Sequence, residues 1–178
     1  GMKLWTTEAG FRVAGIVNWP AGQSDACQHE SDQVVSSLDF LPTFAKLAGA
    51  NIPADRKLDG TDMTPLFSGK QIERNKPLIW AYYNSINEHR VAMRHGDWKI
   101  LAKLNGADLP KTVNVFDGNR DKVFSAQLTD FEFYNVQEDV TESNPVADAS
   151  LATELQAKMQ GAYQELIRDS HVWTRPKE

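Results

Sequence analysis

The sequence of 178 residues is poor in the residues that bind metals or cross-link chains, with one cysteine and four scattered histidines. A single cysteine cannot form a disulfide within the chain. The histidines lack the paired spacing of a zinc site. No stretch approaches the roughly 20 apolar residues that a membrane-spanning helix needs. The sequence therefore predicts no internal disulfide, no metal site of its own and no membrane partner.

The chain also has fewer positively charged than negatively charged residues. The chain has 19 lysines and arginines against 24 acidic residues, a net charge of −5, and no basic cluster longer than two neighbours. Proteins that bind DNA or RNA normally present basic surface, because phosphate contacts dominate their affinity. The sequence thus excludes nucleic acid as a main partner.

The remaining composition is that of an ordinary globular protein, with 41% hydrophobic and 24% charged residues. Residues 11–19 are rich in β-branched and aromatic side chains and end at Pro20, which predicts a buried strand followed by a turn. Residues 36–48 place apolar side chains at spacings of three and four, which predicts an amphipathic helix.

After Pro77 the pattern changes to short apolar stretches between turn residues. Four of them predict an antiparallel sheet, namely residues 78–83, 90–94, 98–103 and 131–134. One apolar stripe then predicts a C-terminal helix, formed by Leu151, Leu155, Met159, Ala162 and Leu166. The fold class is therefore α/β (α+β), with a domain boundary near residue 75.

The chain offers no complete catalytic set on composition and spacing alone. Cys27 has His29 two residues away, but neighbouring loop side chains seldom point together, so we interpret Cys27 as a loop thiol. His89, Arg90 and Arg94 flank a predicted strand and could form a cationic patch that binds an anionic group. Solvated strand ends are the more frequent explanation of such residues.

Six ordered stretches nevertheless resemble one family. Residues 3–13 match K-x4-E-[GA]-G-x-R-V, and residues 19–22 match W-P-[AG]-G. Residues 34–50 and 58–66 resemble V-S-x-x-D-x-x-P-T…L-A-G and L-D-G…L-P-L-L. Residues 90–100 and 131–144 resemble R-A-V-R-x-G-D-W-K-L and E-L-Y-[DN]-L-x-x-D-P-x-E-x-x-N. In this order the motifs resemble those of sulfatases, which belong to the alkaline-phosphatase-like superfamily.

The resemblance implies a fold in two parts. Residues 1–75 would be the C-terminal remnant of the sulfatase catalytic α/β domain. Residues 76–178 would be the C-terminal subdomain, a small four-stranded antiparallel sheet packed by a C-terminal helix. Without the rest of that domain's sheet, the strand at residues 11–19 would expose its edges. We therefore expect the chain to form a homo-oligomer through these edges.

The resemblance also implies roles for particular residues. Lys3 occupies the position of the family's lysine that contacts a sulfate oxygen, and His89, Arg90 and Arg94 would help to bind the substrate. The family's C-x-[PA]-S-R segment, which yields formylglycine, and its calcium ligands precede this lysine. The residues around Cys27 depart from that segment. We therefore expect no cofactor in this chain, and calcium and formylglycine in the full-length parent.

The function implied is that of the C-terminal part of a sulfatase, acting on a sulfated carbohydrate such as a glycosaminoglycan or on an aryl sulfate and inactive as an isolated chain. Its partners would be the N-terminal catalytic segment and a sulfated small molecule or glycan. Two alternatives remain open: a non-catalytic sulfated-glycan-binding or interaction module, and a phosphoester hydrolase of the same superfamily. Membership implies a secreted, periplasmic or lysosomal parent.

Overall fold

The computed structural model describes residues 2–25, 27, 30–55, 57–105, 109, 111–112 and 114–168. The chain forms two compact units. One contains the described residues of Gly1–Val13 and Pro77–Glu178, and the other contains those of Ala14–Lys76. The predicted boundary near residue 75 therefore lies at one end of the second unit, whereas residues 1–13 belong to the unit that contains the sheet. The assignment of residues 1–75 to a catalytic-domain remnant stays a prediction.

The first unit is built on a four-stranded sheet, as predicted. Its strands are β1 (Leu78–Ala81), β2 (His89–His95), β3 (Trp98–Leu104) and β4 (Leu128–Asn135), antiparallel and in sheet order β1-β2-β3-β4. Two residues connect β2 to β3, and the first of them, Gly96, has φ 56°. Glycine adopts this left-handed conformation at no steric cost, which allows the tight hairpin.

One face of the sheet packs against the long C-terminal helix α4 (Ala149–Arg168), also as predicted. Side chains alternate between the two faces of a strand. Val91 and Met93 of β2 and Ile100 and Ala102 of β3 therefore point to the same side. There they form one core with the buried side of α4, which comprises Leu155, Met159, Tyr163 and Ile167.

The opposite face of the sheet is covered by the start of the chain. Helix α1 (Glu8–Phe11) places Phe11 against Trp80 of β1, with the ring centroids 4.7 Å apart. A second core forms beneath these two rings, from Ala92, Leu101, Tyr134 and Val136. This face, with α1 upon it, also holds the site described below.

The predicted strand at residues 11–19 is wrong. Phe11 ends α1, and residues 12–19 have no regular structure. Val13 and Ile16 are 85% and 91% exposed. A strand requires a neighbour for its backbone N–H and C=O groups, and residues 14–76 contribute no strand where the structure describes them. The pairing of two copies through this edge stays a prediction.

The second unit contains the helix predicted at residues 36–48. It begins as a 3₁₀ turn (Ser37–Asp39) and continues as α2 (Phe40–Leu47). Ser36 and Asp39 form a capping box, in which each side chain accepts a backbone N–H near the helix start. The buried Asp39 carboxylate also pairs with Arg74, at 2.5 Å. These bonds connect the helix to the segment that follows it.

Two shorter helices complete the fold. One is a 3₁₀ helix at Thr64–Ser68. The other is helix α3 (Arg120–Ser125), which the sequence did not predict and which buries Val123. None of the helices within the described ranges has both the length and the apolar character needed to cross a bilayer.

Candidate functional site

The predicted sulfate contact, Lys3, lies in a tight turn at the start of the chain. The Trp5 N–H donates to the Met2 carbonyl at 3.1 Å, so Lys3 and Leu4 are the two central residues of the turn. Leu4 has φ 74°, the pattern of a type II turn, whose third residue is usually glycine. Lys3 is exposed, and no carboxylate of the described residues pairs with its ammonium group. The turn therefore presents an uncompensated cation to solvent.

Close by, two cations face each other across the sheet. Arg94 of β2 and Lys99 of β3 are direct partners in the antiparallel register. Lys99 is 0% exposed and Arg94 is 9% exposed. Like charges in this position destabilise a sheet unless a group of opposite charge lies between them.

Glu8 of α1 supplies that charge. One of its carboxylate oxygens, Oε1, lies 3.0 Å from Lys99 Nζ, and the other, Oε2, lies 3.3 Å from Arg94 Nη1. Arg94 also donates from Nε to the Gly96 carbonyl at 2.7 Å. The carboxylate therefore fixes α1 to the centre of the sheet through both cations.

Two aromatic rings also lie beside the Lys99 ammonium group. Its ammonium lies 4.6 Å from the centre of the Phe11 ring and 5.3 Å from that of Trp80, within the range of cation–π attraction. Burial lowers the pKa of Lys99 from its ordinary 10.5, and the Glu8 carboxylate offsets only part of that effect. The Glu8 carboxylate thus favours the charged form of Lys99 against the effect of burial.

A second carboxylate, Glu142, completes the cluster. It adopts φ 54°, a strained conformation for a non-glycine residue, and its Oε2 accepts the Glu8 backbone N–H at 2.7 Å. Its other oxygen, Oε1, is buried and has no hydrogen-bond partner among the described residues. Burial raises the pKa of Glu142 above its ordinary 4.5. With Glu8, Arg94 and Lys99, it makes a cluster with two positive and two negative charges.

We predict that Glu142→Gln stabilises the protein at pH 7 and not at pH 4. Because the folded pKa of Glu142 is raised, its ionised form costs folding free energy. That cost is absent below the unfolded pKa and develops as the pH rises through the folded pKa, and glutamine removes it. Urea unfolding between pH 4 and pH 8 measures the difference. The control is Glu138→Gln at an exposed position. A gain that does not change with pH would contradict the assignment.

The three residues predicted to bind substrate lie in different surroundings. Arg94 belongs to the charge cluster, so an anionic ligand would have to compete with Glu8 for it. Arg90 donates from Nη1 to the Leu109 carbonyl at 2.8 Å. The His89 ring lies 3.5 Å from a carboxylate oxygen of Glu132, and burial lowers its pKa from 6.5. A role of these residues in binding substrate stays a prediction.

The pairing of Glu8 with Lys99 is the feature that sequence reasoning missed. Glu8 and Lys99 are separated by 91 positions, and no local pattern links them. A partial signal was present, because Arg94 and Lys99 are equally distant from the Gly96–Asp97 turn and must therefore face each other. Two cations opposite each other in an otherwise apolar sheet require a buried anion.

The described residues do not fit a metal site or a sulfatase nucleophile. They contain no group of three or more His, Cys, Asp or Glu side chains able to hold a cation. Cys27 Sγ lies 3.6 Å from the Leu66 carbonyl and 3.7 Å from Gln23 Nε2, contacts of a packed loop thiol. His29, its neighbour in sequence, lies outside the described residues, as does His171.

Comparison with known proteins identifies what the chain is similar to. The family described as N-sulphoglucosamine sulphohydrolase, C-terminal, matches residues 2–122. Human steryl-sulfatase is 31% identical over 160 residues, which cover 84% of this chain. Bovine arylsulfatase A is 36% identical over 98 residues, which cover 54% of it.

A solved structure agrees with this at the level of the fold. It is a sulfatase from work on the metabolism of multiple glycosaminoglycans by Bacteroides thetaiotaomicron. It matches 93% of this chain with a TM-score of 0.59 and 20% sequence identity. The chain spans 26% of human steryl-sulfatase, 18% of bovine arylsulfatase A and 31% of the solved structure.

Proposed function

This chain belongs to the sulfatase family, as a C-terminal part of such a protein, and on that premise we propose that the full-length protein hydrolyses sulfuric esters. The observation that carries the proposal is Lys3, an exposed cation on a strained turn that pairs with no carboxylate among the described residues. By the resemblance of residues 3–13 to the family's motif, this lysine would be the sulfate contact. The rest of the unit would serve to hold it in place.

The proposed reaction places Lys3 next to the sulfate group. The ester S–O bond breaks, the oxygen of a water molecule ends on sulfur, and a proton ends on the leaving oxygen. Negative charge on the sulfate oxygens shifts during this transfer, and a fixed ammonium group stabilises the transition state more than a mobile one does. In the full-length protein, calcium would supply further positive charge and formylglycine the nucleophile. We propose both for segments that precede Lys3.

We propose a sulfated carbohydrate or an aryl sulfate as the substrate. The matching family is named for sulphoglucosamine, and bovine arylsulfatase A for aryl sulfates. The relatives therefore support either class. The binding partner in the cell would be the catalytic segment of the same protein.

The test is to recover the longer reading frame that contains this chain, express its product, and assay it on aryl sulfates and sulfated monosaccharides. We expect the full-length protein to release sulfate and the isolated chain to release none. Turnover by the isolated chain would show that its own residues suffice. Release of phosphate from aryl phosphates, with none of sulfate, would favour a phosphoester hydrolase instead.

The alternative of a sulfated-glycan-binding module receives less support. Of the cations proposed for that surface, Arg94 is buried and paired with Glu8, and Arg90 donates to a backbone carbonyl. Neither guanidinium is wholly available to a glycan sulfate. The exposed Lys3 is one cation, which is too few for tight binding to a polyanion.

A further inference from the structure

The turn that carries Lys3 is strained, and its strain is maintained by residues far away in sequence. For a residue with a Cβ, the left-handed conformation of Leu4 is strained, because the Cβ comes too close to the following carbonyl oxygen. Such a conformation persists only where the surroundings over-determine it. The groups that hold Leu4 therefore also decide where the Lys3 side chain begins.

The first of these groups belongs to the loop between β1 and β2. The Leu4 carbonyl accepts the Ile86 N–H at 2.9 Å, and Ser85 Oγ lies 3.4 Å from the same carbonyl oxygen. Ser85 is 0% exposed, so the loop presents a buried side chain to the turn. The strained peptide group is thus held directly by the loop.

Asn87 fixes the next part of the segment. Its Oδ1 accepts the Thr6 N–H at 3.0 Å, and its Nδ2 donates to the Thr6 hydroxyl at 2.8 Å. The Thr6 hydroxyl in turn donates to the His89 carbonyl at 2.6 Å, and Thr6 is 0% exposed. Oδ1 of Asn87 also accepts the Ser85 hydroxyl. The Asn87 side chain therefore connects the loop between β1 and β2 to the segment that follows the turn.

A third constraint comes from α1. A Cβ on Gly10 would lie 2.1 Å from the Trp5 carbonyl oxygen and 3.2 Å from that of Met2. The helix thus contacts the backbone of the turn, and Glu8 holds that helix on the sheet. The turn lies between α1 and the loop that connects β1 to β2. While Asn87 keeps its hydrogen bonds, the Leu4 backbone therefore has little room to leave the left-handed conformation.

We propose that Asn87 is a positioning residue for Lys3, an inference that rests on the proposed function. Asn87 does not touch the sulfate ester. It holds the left-handed Leu4 turn through Thr6 and Ser85, and the turn aims the Lys3 ammonium. When the bonds of Asn87 are lost, the strain in Leu4 favours a relaxed turn in which Lys3 points elsewhere.

The test combines two substitutions in the full-length protein. Asn87→Asp keeps the size of the side chain and removes the two N–H donors to Thr6 and His89, so kcat should fall about 10-fold with little change in KM. Leu4→Gly removes the strain, since glycine favours the left-handed turn. In the Asn87→Asp background it should restore kcat at least threefold. Urea unfolding of each variant separates this effect from one on stability, because a rescue of kcat measured with every protein fully folded cannot come from a gain in stability.

The matched control is Asn119→Asp in the same unit. The Asn119 amide is bonded in a similar way: its Oδ1 accepts the Phe116 N–H, and its Nδ2 donates to Thr112 Oγ1 and to the Asn114 carbonyl. It lies away from Lys3 in sequence, and within the described part of the chain these side-chain bonds involve none of the residues that hold the turn. We expect its kcat to equal that of the wild type. An equal loss in both variants, or no rescue by Leu4→Gly, would overturn the proposal.

Two further outcomes separate this inference from the proposed function. If Lys3→Ala lowers kcat and Asn87→Asp does not, the positioning role is wrong and the proposed function stands. If the wild-type full-length protein releases no sulfate, the proposed function fails, and hydrogen exchange in the isolated chain still decides whether Asn87 holds the turn. Asn87→Asp should then speed exchange of the Thr6 and Ile86 amides at least 10-fold. Unchanged exchange would overturn the inference.

Discussion

Replacing Lys3 with alanine in the full-length protein is expected to lower kcat about 100- to 1000-fold, the effect of removing one preorganised donor from a charge-stabilising site. The proposed role of the ammonium is to offset charge on the sulfate oxygens in the transition state. Alanine leaves that charge to water, which must reorganise during the reaction. KM should change much less than kcat, because the contact strengthens as the reaction proceeds.

The comparison variants are Lys3→Arg and Lys122→Ala. Arginine keeps the charge on a longer and planar group, so we expect a partial loss. Lys122 is an exposed lysine on α3 in the same unit, and its removal should leave kcat unchanged. Steady-state kinetics on one aryl sulfate measures all three variants. A Lys3→Ala protein with the kcat of the wild type would remove Lys3 from the site.

Glu8→Ala is expected to reduce the free energy of unfolding by about 3–5 kcal/mol, the usual cost of leaving a buried charge without its partner. Lys99 is 0% exposed, and Glu8 provides the one carboxylate paired with it among the described residues. Arg94 loses its carboxylate at the same time. The two cations would then face each other across the sheet without the carboxylate that contacts both of them.

The pH dependence of the Glu8→Ala variant provides a second readout. Because the pKa of Lys99 is already lowered, its folded form releases a proton more readily than its unfolded form does. In that case stability rises as the pH increases from the folded pKa to the unfolded one. Loss of Glu8 lowers the folded pKa further. Between pH 7 and pH 10 the variant should therefore regain stability more steeply than the wild type.

Two variants make the Glu8 experiment specific. Glu8→Ala with Lys99→Met replaces the buried ion pair by apolar groups and should recover much of the lost stability. Glu88→Ala removes a carboxylate that pairs with Lys103 at 2.6 Å but is 76% exposed, so it should change the free energy of unfolding much less than Glu8→Ala does. Urea unfolding compares the four proteins. Equal losses for Glu8→Ala and Glu88→Ala would contradict the buried-charge assignment.

The elements with a strong period in the sequence were predictable. The apolar stripe from Leu151 to Leu166 marks α4, and two short apolar runs on either side of Gly96 mark the β2–β3 hairpin. The helical stripe and the apolar runs are local properties of the sequence, and burial of their side chains stabilises the same elements. Helix α3 was missed because six residues are too few to show a helical period.

Residues 11–19 show the limit of that reasoning. Their composition is typical of a buried strand, yet a strand is stabilised by hydrogen bonds to a neighbour that its own sequence does not specify. Where no partner strand is present, the same residues take no regular structure, and α1 ends at Phe11. The composition of residues 11–19 thus indicated a preference for a strand. Whether they form one depends on a partner strand, which the described residues do not provide.

By itself the sequence determined the family and predicted the sheet and its C-terminal helix, and it indicated Lys3 as the candidate sulfate contact. Only the tertiary structure decided that Glu8 neutralises Arg94 and Lys99, and that Asn87 holds the strained turn at Leu4. The physical reason is the range of the interactions. Periodic burial acts between residues a few positions apart, whereas buried charges and polar groups are satisfied by partners about 80 to 90 positions away, which the fold alone brings into contact.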